Sequence, residues 1–347
     1  SREDIERLRP TLESLPGAET LKGYLYFNDA EARRKELLGQ FRQDSCWSSP
    51  YGMARSILRD GDPGEMNWAT HFRLAQMAGW AGNLDELLSS PGLAPEDFTR
   101  LRTHLAVLCH LMAEPDVNPR GAMTHLGNPN MPINRFCALP WTAALIPDHP
   151  LANTWLDDSA KYIRYKLAMN TAPNGTWSEL MTYFGASAPH VMQTASVLAA
   201  AGRLDEPTAR LAAMPAIFTM NLLTPPDPRF AARIVSGWGH EGVDNACHYL
   251  VAANIVRRLD PALAAAFVWA WDQTGRTLGA HHDAGFSPRA QVHADLLSSL
   301  PDGYVAPQLD SAWLPGFGAT MRAFPGHANE TYLSLRQGYC VSHCDPN

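Results

Sequence analysis

The chain has few charged residues, no run of basic residues and no long apolar segment. Charged residues make up 18% of its 347 residues, and its net charge at pH 7 is −7. Without a basic run, the bulk electrostatic attraction that dominates nucleic-acid binding is missing. The most apolar segments, such as residues 261–271, are shorter than the ~20 residues that a membrane span needs. We therefore predict a globular protein that neither binds nucleic acid nor spans a membrane.

The six cysteines are also scattered, without the spacing of a disulfide framework or a zinc site. Cys109, Cys137 and Cys247 lie in apolar helical sequence, where a buried free thiol is the usual state. The last two cysteines bracket His343, but a zinc site needs four ligands, and no second Cys/His pair with suitable spacing is nearby. The predicted state of the first three thiols is therefore reduced and buried.

Proline, glycine and asparagine divide residues 1–303 into segments in which apolar residues recur at helical spacing. The predicted helices are 3–14, 30–43, 66–80, 95–112, 132–145, 151–169, 177–200, 206–222, 242–257, 261–275 and 288–299. Several begin with proline in the first turn, where its fixed φ suits a helix start. Helices of similar length with short links are typical of antiparallel pairs stacked in a ring or a solenoid.

After residue 301 the sequence changes to short, partly alternating segments, which are typical of strands. The predicted strands are 304–306, 319–324, 331–335 and 339–343. Four short strands do not bury both faces of a sheet by themselves. We therefore predict a helical catalytic domain at 1–303 and, at 304–347, the first strands of a truncated β domain that a β-rich continuation or a second chain completes.

The segment 174–183 holds the most informative side chains. Asn174-Gly175 is a turn dipeptide, and the sequence after it predicts a helix that begins at Trp177. In such a helix Glu179 and Tyr183, four residues apart, share one face. A carboxylate and a phenol placed together indicate proton-transfer chemistry.

Three motifs, in this order, resemble the heparinase II/III-like polysaccharide lyases. They are Gly-Asn-Pro-Asn at 127–130 before a helix, Asn-Gly-x-Trp-x-Glu-x3-Tyr at 174–183, and the run from Gly318-x3-Arg322 to His343-Cys344-Asp345. The resemblance implies a mainly α fold: an incomplete (α/α) toroid of antiparallel helix pairs, then the start of an antiparallel β-sandwich, with the active site between them. It also implies a periplasmic or secreted protein, although this chain shows no signal peptide.

The resemblance implies β-elimination in an acidic polysaccharide that contains uronic acid, of glycosaminoglycan or alginate type. Such a lyase removes the C5 proton and expels the 4-linked oxygen. Tyr183 matches the family's catalytic tyrosine, which transfers a proton. Asn128 or Asn130 matches the amide that neutralises the uronate carboxylate and so stabilises the enolate-like transition state. Which of the two asparagines faces the cleft stays open.

Histidine completes this prediction in one of two ways. Family members often carry His-x-His-x-Asp, but Val341 occupies the first histidine position here and His343 the second. His343 is then either catalytic or a ligand of a structural Zn²⁺ whose other ligands lie outside this chain. The reaction itself requires no cofactor. His240 lies in a loop before a helix. It can act as the base in place of the family's first histidine, whose position Val341 occupies here.

Five further residues are candidates for substrate binding, each with a structural alternative. They are Glu179, Arg322, His190, Trp238 and Trp177. Glu179 orients a neighbour or the substrate, or is an exposed helix carboxylate. Arg322 binds a carboxylate or sulfate through two N–H groups, or forms an ion pair at the domain interface. His190 follows Tyr183 by two helical turns, and the tryptophans stack on sugars or lie in the core.

Two other functions stay open at this point. A glycoside hydrolase of helical-ring type needs two carboxylates about 5–10 Å apart across a sugar, and Asp157, Asp158, Glu179, Glu241 and Asp283 offer material for such a pair. A non-enzymatic helical-repeat scaffold that binds peptides predicts no concentration of Asn, Tyr and His in one cleft.

Overall fold

The computed structural model describes residues 30–43, 81–88, 92–115, 130–179, 181–235, 247–275 and 304–337. In these ranges the protein is mainly helical, with one small antiparallel sheet. The helices are α1 (Ala30–Gln43), α2 (Ala81–Leu88), α3 (Pro95–Ala113), α4 (Asn130–Ala144), α5 (Ala152–Asn170), α6 (Met181–Ala200), α7 (Glu206–Asn221), α8 (Cys247–Val256) and α9 (Pro261–Gln273). The strands are β1 (Ala312–Leu314), β2 (Gly318–Ala323) and β3 (Thr331–Arg336).

Helices α7 and α9 begin where the sequence predicts, and each has a capping aspartate followed by a proline in its first turn. The side chains of Asp205 and Asp260 accept the backbone N–H groups of Thr208 and Leu263, at 2.9 and 3.0 Å, at the starts of α7 and α9. Both helices, like α3, carry proline in the first turn. The predictions at 3–14, 66–80, 288–299 and 339–343 lie outside the described residues.

Two short elements were not predicted from the sequence, and one predicted strand is wrong. The short helix α2 is held by tertiary burial, since Leu84 and Leu87 are fully buried. Strand β1 has only three residues and is held by its pairing with β2. Residues 304–306, predicted as a strand, have no regular structure, and Val305 is exposed.

Helices α4 to α9 form two rows. Helices α4, α6 and α8 pack side by side in the first row and α5, α7 and α9 in the second, while consecutive helices also contact each other. The links from α4 to α5, α5 to α6 and α6 to α7 are short, so each of these helices runs antiparallel to the next. Helices α4 and α6 therefore run in the same direction. Closure of this array into a toroid stays a prediction.

One hydrophobic core joins the two rows and the sheet. The large side chains of Phe184 on α6, Phe218 on α7, Tyr249 on α8 and Phe267 on α9 are fully buried. Phe317, between β1 and β2, packs edge-on against Phe218 with ring centres 5.2 Å apart. The sheet is thus packed on the helices through shared apolar side chains.

The sheet lies at the end of the helix array where the helices of the second row, α5, α7 and α9, end. We call this end of the array the sheet end. The Tyr332 hydroxyl of β3 donates to the Leu222 carbonyl, 3.2 Å away, just after α7. The amide N–H of Arg233 donates to the carbonyl of Gln273, the last residue of α9, at 2.8 Å. Because α7 runs antiparallel to α6, the first turns of α6 and its parallel neighbour α4 lie at this same end.

The two faces of the sheet differ in exposure. The order is β1-β2-β3, with both pairs antiparallel. Leu314 and Thr320 face the helices and are buried, whereas Trp313, Met321, Leu333 and Leu335 are exposed on the other face. The outer face is therefore apolar, and the predicted second sheet of a sandwich stays a prediction. Within the described ranges, no helix combines the length and apolar character that crossing a membrane requires.

Candidate functional site

The helix that carries Tyr183 begins later than the sequence predicts. α6 starts at Met181, so the predicted start at Trp177 is wrong. Trp177 instead forms an isolated antiparallel bridge with Thr171, and Glu179 precedes the helix. The prediction that Glu179 and Tyr183 share one helix face is therefore also wrong. The physical reason is that Trp177 pairs with Thr171 and the Ser178 N–H donates to the Asn170 carbonyl at the end of α5, 3.0 Å away, which holds residues 177–178 outside a helix.

The turn at Asn174-Gly175 forms as predicted and is tightly packed. The side-chain oxygen of Asn174 accepts the N–H of Thr176 at 3.3 Å and its hydroxyl at 2.9 Å. Gly175 has φ of +89°, and a Cβ there would lie 2.2 Å from the carbonyl oxygen of Met214 in α7. The side-chain amide of Asn174 donates to the Trp313 carbonyl of β1 at 3.2 Å. This turn therefore joins α7 and the sheet.

Glu179 lies in a buried polar cluster. Its Oε2 accepts hydrogen bonds from the Ser187 hydroxyl at 2.5 Å and the Trp177 indole N–H at 3.3 Å. The same indole N–H lies 2.9 Å from the Ser187 oxygen. Glu179 is 2% exposed, which excludes the alternative of an exposed helix carboxylate. Trp177, Glu179 and Ser187 form what we call the Glu179 cluster.

Lys166 is a buried cation on the preceding helix, α5. It projects from α5, is 2% exposed, and its Nζ lies 5.7 Å from the ring centre of Tyr162. Burial lowers the pKa of Lys166, and the charge of Glu179 acts in the opposite direction. Asn170, one turn later, accepts the Ser178 hydroxyl at 2.8 Å through its side-chain oxygen. The end of α5 is thus bonded to the segment that precedes α6.

Asn130 and Tyr183 are brought to the same end of the array. Asn130 is the first residue of α4 and Tyr183 lies in the first turn of α6. The two helices are packed neighbours in the first row and run in the same direction. The structure describes the backbone of both residues, and both first turns lie at the sheet end. Asn128, His240, Trp238 and His343 lie outside the described residues.

No protein-family model matches this sequence, and no curated protein matches it at a significant level. The resemblance to heparinase II/III-like lyases therefore stays a prediction from the three motifs.

His190 and Trp177 are buried rather than open to a cleft. His190, on α6, is 2% exposed, and Trp177 is 3% exposed with its indole N–H bonded inside the Glu179 cluster. Stacking on a sugar requires an accessible ring face. In this geometry Trp177 bonds to Ser187 of α6, and His190 is a buried residue of the same helix.

Arg322 forms a buried ion network between the sheet and the helices. Its Nη1 donates to Glu330 at 3.0 Å, and Arg233 donates to the same carboxylate at 2.9 Å. The Nη2 of Arg322 donates to the carbonyls of Asn221, at 3.0 Å, and Leu223 after α7. The Arg322 side chain is fully buried. This geometry favours the domain-interface ion pair over the substrate clamp.

In this network two guanidinium groups act on one carboxylate. Burial by itself raises the pKa of Glu330, but the bonds from Arg233, from the Gly326 N–H and the charge of Arg322 outweigh it, so the pKa is lowered. Arg322 also stacks on the Tyr332 ring, 4.6 Å from its centre. Positive charge in excess of the single carboxylate lies at the carbonyl end of α7, where the helix dipole favours it.

Cys109 and Cys137 are free and buried, as predicted. Burial raises the pKa of both thiols to about 12. The side chain of Cys247, at the start of α8, lies outside what the structure describes. Among the described residues, no three His, Cys, Asp or Glu side chains are grouped as ligands for a metal ion.

The sequence predicted no role for four residues of these buried groups, namely Lys166, Ser187, Arg233 and Glu330. Lys166 had a detectable signal, because it falls in the apolar stripe of α5 with Ile163 and Leu167, both fully buried. A lysine in such a stripe indicates a buried anionic partner. Arg233 and Glu330 are 97 residues apart in the chain, so no local pattern indicates their pairing.

Proposed function

We propose that the protein is a polysaccharide lyase that cleaves a uronic-acid polymer by β-elimination. The observation that carries this proposal is that Asn130 and Tyr183 both lie in the first turns of neighbouring parallel helices at the sheet end. Elimination beside a carboxylate needs a group that neutralises the acid and a group that transfers a proton. A peptide-binding scaffold gives no reason for an amide and a phenol from distant motifs to lie at one end.

In the proposed reaction the C5–H and C4–O bonds break and a C4=C5 double bond forms. The amide of Asn130 or Asn128 donates to the uronate carboxylate, which stabilises the enolate-like charge. Tyr183 gives a proton to the leaving oxygen. The C5 proton passes to a base, for which Tyr183, His240 and His343 are the candidates.

No step of this reaction is assigned to a metal. A structural Zn²⁺ at His343 stays a prediction, because His343 lies outside the described residues. The acidic polysaccharide, as substrate, is also the reason to propose a periplasmic or secreted protein.

A glycoside hydrolase is less well supported by the described carboxylates. Asp157 pairs with Arg203 and Asp158 with Lys161, each at 3.4 Å, on the surface of α5. Glu179 is enclosed in its buried cluster. Glu241 and Asp283 lie outside the described residues. Among the carboxylates that the structure describes, none of these three pairs with another across an open cleft, as hydrolysis of a glycoside requires.

The test offers glycosaminoglycans and alginate to the purified protein and follows the ultraviolet absorbance of the unsaturated product. We expect the wild type to produce this signal with at least one polymer. Tyr183→Phe should lower the rate by about 10²–10⁴-fold, because the phenol proton is lost. Tyr165→Phe, at an exposed tyrosine of α5, is the matched control and should leave the rate unchanged.

Two outcomes would contradict the proposal. If the protein releases reducing ends without ultraviolet absorbance, it is a hydrolase. If no uronate polymer is cut, lyase activity on this class of polymer is excluded. Full activity of Tyr183→Phe would remove Tyr183 from the mechanism.

A further inference from the structure

We propose that bound water links the side chain of Gln193 to the backbone carbonyl of Gly185, beside Pro189 in the interior of α6. Gln193 is fully buried, and among the described residues neither of its side-chain amide atoms has a hydrogen-bond partner. Pro189 lies inside the helix, four residues from each of the other two. The inference is independent of the proposed function, since none of these three residues is assigned a part in the reaction.

The side-chain amide of Gln193 requires partners that the described part of the protein does not supply. A glutamine amide carries two N–H donors and one acceptor oxygen. Ser196, three residues later, accepts a hydrogen bond from the side-chain amide of Asn254 in α8 at 2.9 Å. Gln193, which is 0% exposed, has no such neighbour among the described residues. Buried polar groups of this kind are satisfied by ordered water, because leaving them unbonded is costly.

The carbonyl of Gly185 lacks its ordinary helical donor. In an α-helix this carbonyl accepts the N–H of the residue four positions later. That residue is Pro189, which has no N–H and whose ring displaces the carbonyl from its regular position. Gly185 is half-buried, and among the described residues nothing lies within 4 Å of a Cβ added to it. The side of this carbonyl is therefore open to a water molecule.

The spacing of the two groups fits a single bridging water. Gly185, Pro189 and Gln193 are four residues apart and lie along one side of α6. The first and last Cα atoms are about 12 Å apart along the helix axis. The carbonyl points towards Gln193, whose side chain points back towards the helix start, and together they cover roughly half of this distance. The remaining ~6 Å equals two hydrogen bonds that meet at one water.

This arrangement is specific to α6 among the described helices that contain an internal proline. Helices α4 and α7 contain Pro140 and Pro215. The residues four positions before these prolines are Phe136 and Leu211, which carry large side chains where α6 has glycine. Four positions after Pro215 lies Thr219, whose hydroxyl donates to a carbonyl of its own helix at 3.1 Å, and α4 has alanine at that position. Only α6 combines an open carbonyl with an unbonded buried amide.

A crystal structure of the whole chain at a resolution of about 1.5 Å or better tests the site directly, because ordered water is visible at that resolution. We expect a water within about 3.2 Å of both the Gly185 oxygen and the Gln193 amide. A direct bond from this amide to a protein group would overturn the proposal. Density without a water between the two groups would also overturn it.

NMR detects the same water in solution. Gln193→Met, which is similar in volume but has no amide, assigns the side-chain NH₂ signal of Gln193. We expect a cross-relaxation peak between this NH₂ group and a long-lived water. Gln40 is the matched control, since it is exposed and donates to Glu36 at 3.1 Å, so it should show only exchange with bulk solvent. If Gln193 behaves like Gln40, the proposal fails.

Pro189→Ala separates the bridge from a water that Gln193 binds by itself. Alanine restores the N–H that the Gly185 carbonyl accepts in a regular helix, so the carbonyl releases the water. We expect the water peak at Gln193 to weaken at least about two-fold, because the water loses one of its partners. Pro140→Ala restores an N–H in α4 instead and should leave the peak unchanged. Equal peaks in the two variants would overturn the bridge, and the wild-type crystal structure decides it if either variant does not fold.

Discussion

At the scale of single residues, Gly175 shows how a turn can fix the elements around it. Its positive φ is strained for any other residue, and a Cβ would meet the backbone of α7 at Met214 rather than a movable side chain. Relief would require α7 to move away from the turn. The position of this turn also determines where the segment that begins at Trp177 and leads to Tyr183 starts.

We expect Gly175→Ala to lower the free energy of unfolding by at least about 3 kcal/mol, because backbone strain and a steric clash add. Gly202→Ala is the matched control. Gly202 also has a positive φ, but nothing lies within 4 Å of its added Cβ, so it should cost only about 1 kcal/mol. Urea unfolding of both variants measures the difference. Equal costs would show that the contact with Met214 is unimportant.

Glu179 illustrates where a sequence pattern is misleading at this scale. Its spacing from Tyr183 indicates a shared helix face, but the helix begins two residues after Glu179. The spacing rule holds only inside a helix, and the helix start here is set by pairing with the end of α5. Lys166 shows the opposite case: it was not predicted, although its position in the apolar stripe of α5 indicates the burial that the structure shows.

At the scale of elements, the docking of the sheet on α7 depends on Glu330. It is the carboxylate that Arg233 and Arg322 share, and all three side chains are buried. Glu330→Gln leaves two guanidinium groups without a counter-charge, so we expect it to lower the free energy of unfolding by about 3 kcal/mol. Glu206→Gln, which loses an exposed pair with Arg210, should cost less than about 0.5 kcal/mol. Denaturant unfolding at neutral pH compares the two.

The same network predicts a pH dependence. The pKa of Glu330 is lowered below its ordinary value of 4.5, so its contribution to stability is complete above pH 4.5 and is lost as the pH falls through the folded-state pKa. The wild type minus Glu330→Gln difference in unfolding free energy should therefore shrink below pH 4.5. Unfolding curves measured down to pH 3 would check this. A difference that is constant with pH would contradict a buried, ionised Glu330.

At the scale of the whole molecule, the two rows of helices and the sheet concentrate polar groups at one end. The sheet end holds the Glu179 cluster, the ion network of Glu330 and the first turns with Asn130 and Tyr183. The outer face of the sheet, which points away from the helices, is apolar and exposed; its residue Trp313 is 64% exposed. An exposed apolar face of this kind marks a surface for further packing.

The two faces of the sheet should respond differently to the same substitution. Leu333→Lys, on the outer face, should change the free energy of unfolding by less than about 0.5 kcal/mol. Leu314→Lys, on the inner face, buries an ammonium group without a partner and should cost more than about 3 kcal/mol. Thermal unfolding of both variants measures this contrast. A large cost for Leu333→Lys would show that the outer face is covered in the protein.

Much of the helical part was predictable because its signals are local. The bounds of α1 match the sequence prediction, and Asp205 and Asp260 begin α7 and α9 as caps. The site was predictable only as three separate motifs. Their meeting depends on α4 and α6 becoming parallel neighbours, and on contacts such as Arg233 with Glu330 that span most of the C-terminal third of the chain.

The sequence by itself determined the helix-rich class, the turn at Asn174-Gly175, the buried thiols of Cys109 and Cys137, and the two strands β2 and β3. Each of these depends on residues close together in the chain. Only the tertiary structure decided that Glu179 is a buried partner of Ser187 and Trp177, that Arg322 is part of the sheet interface, and that the sheet lies beside the first turns of α4 and α6. These depend on which side chains packing removes from water, and burial is a property of the whole fold.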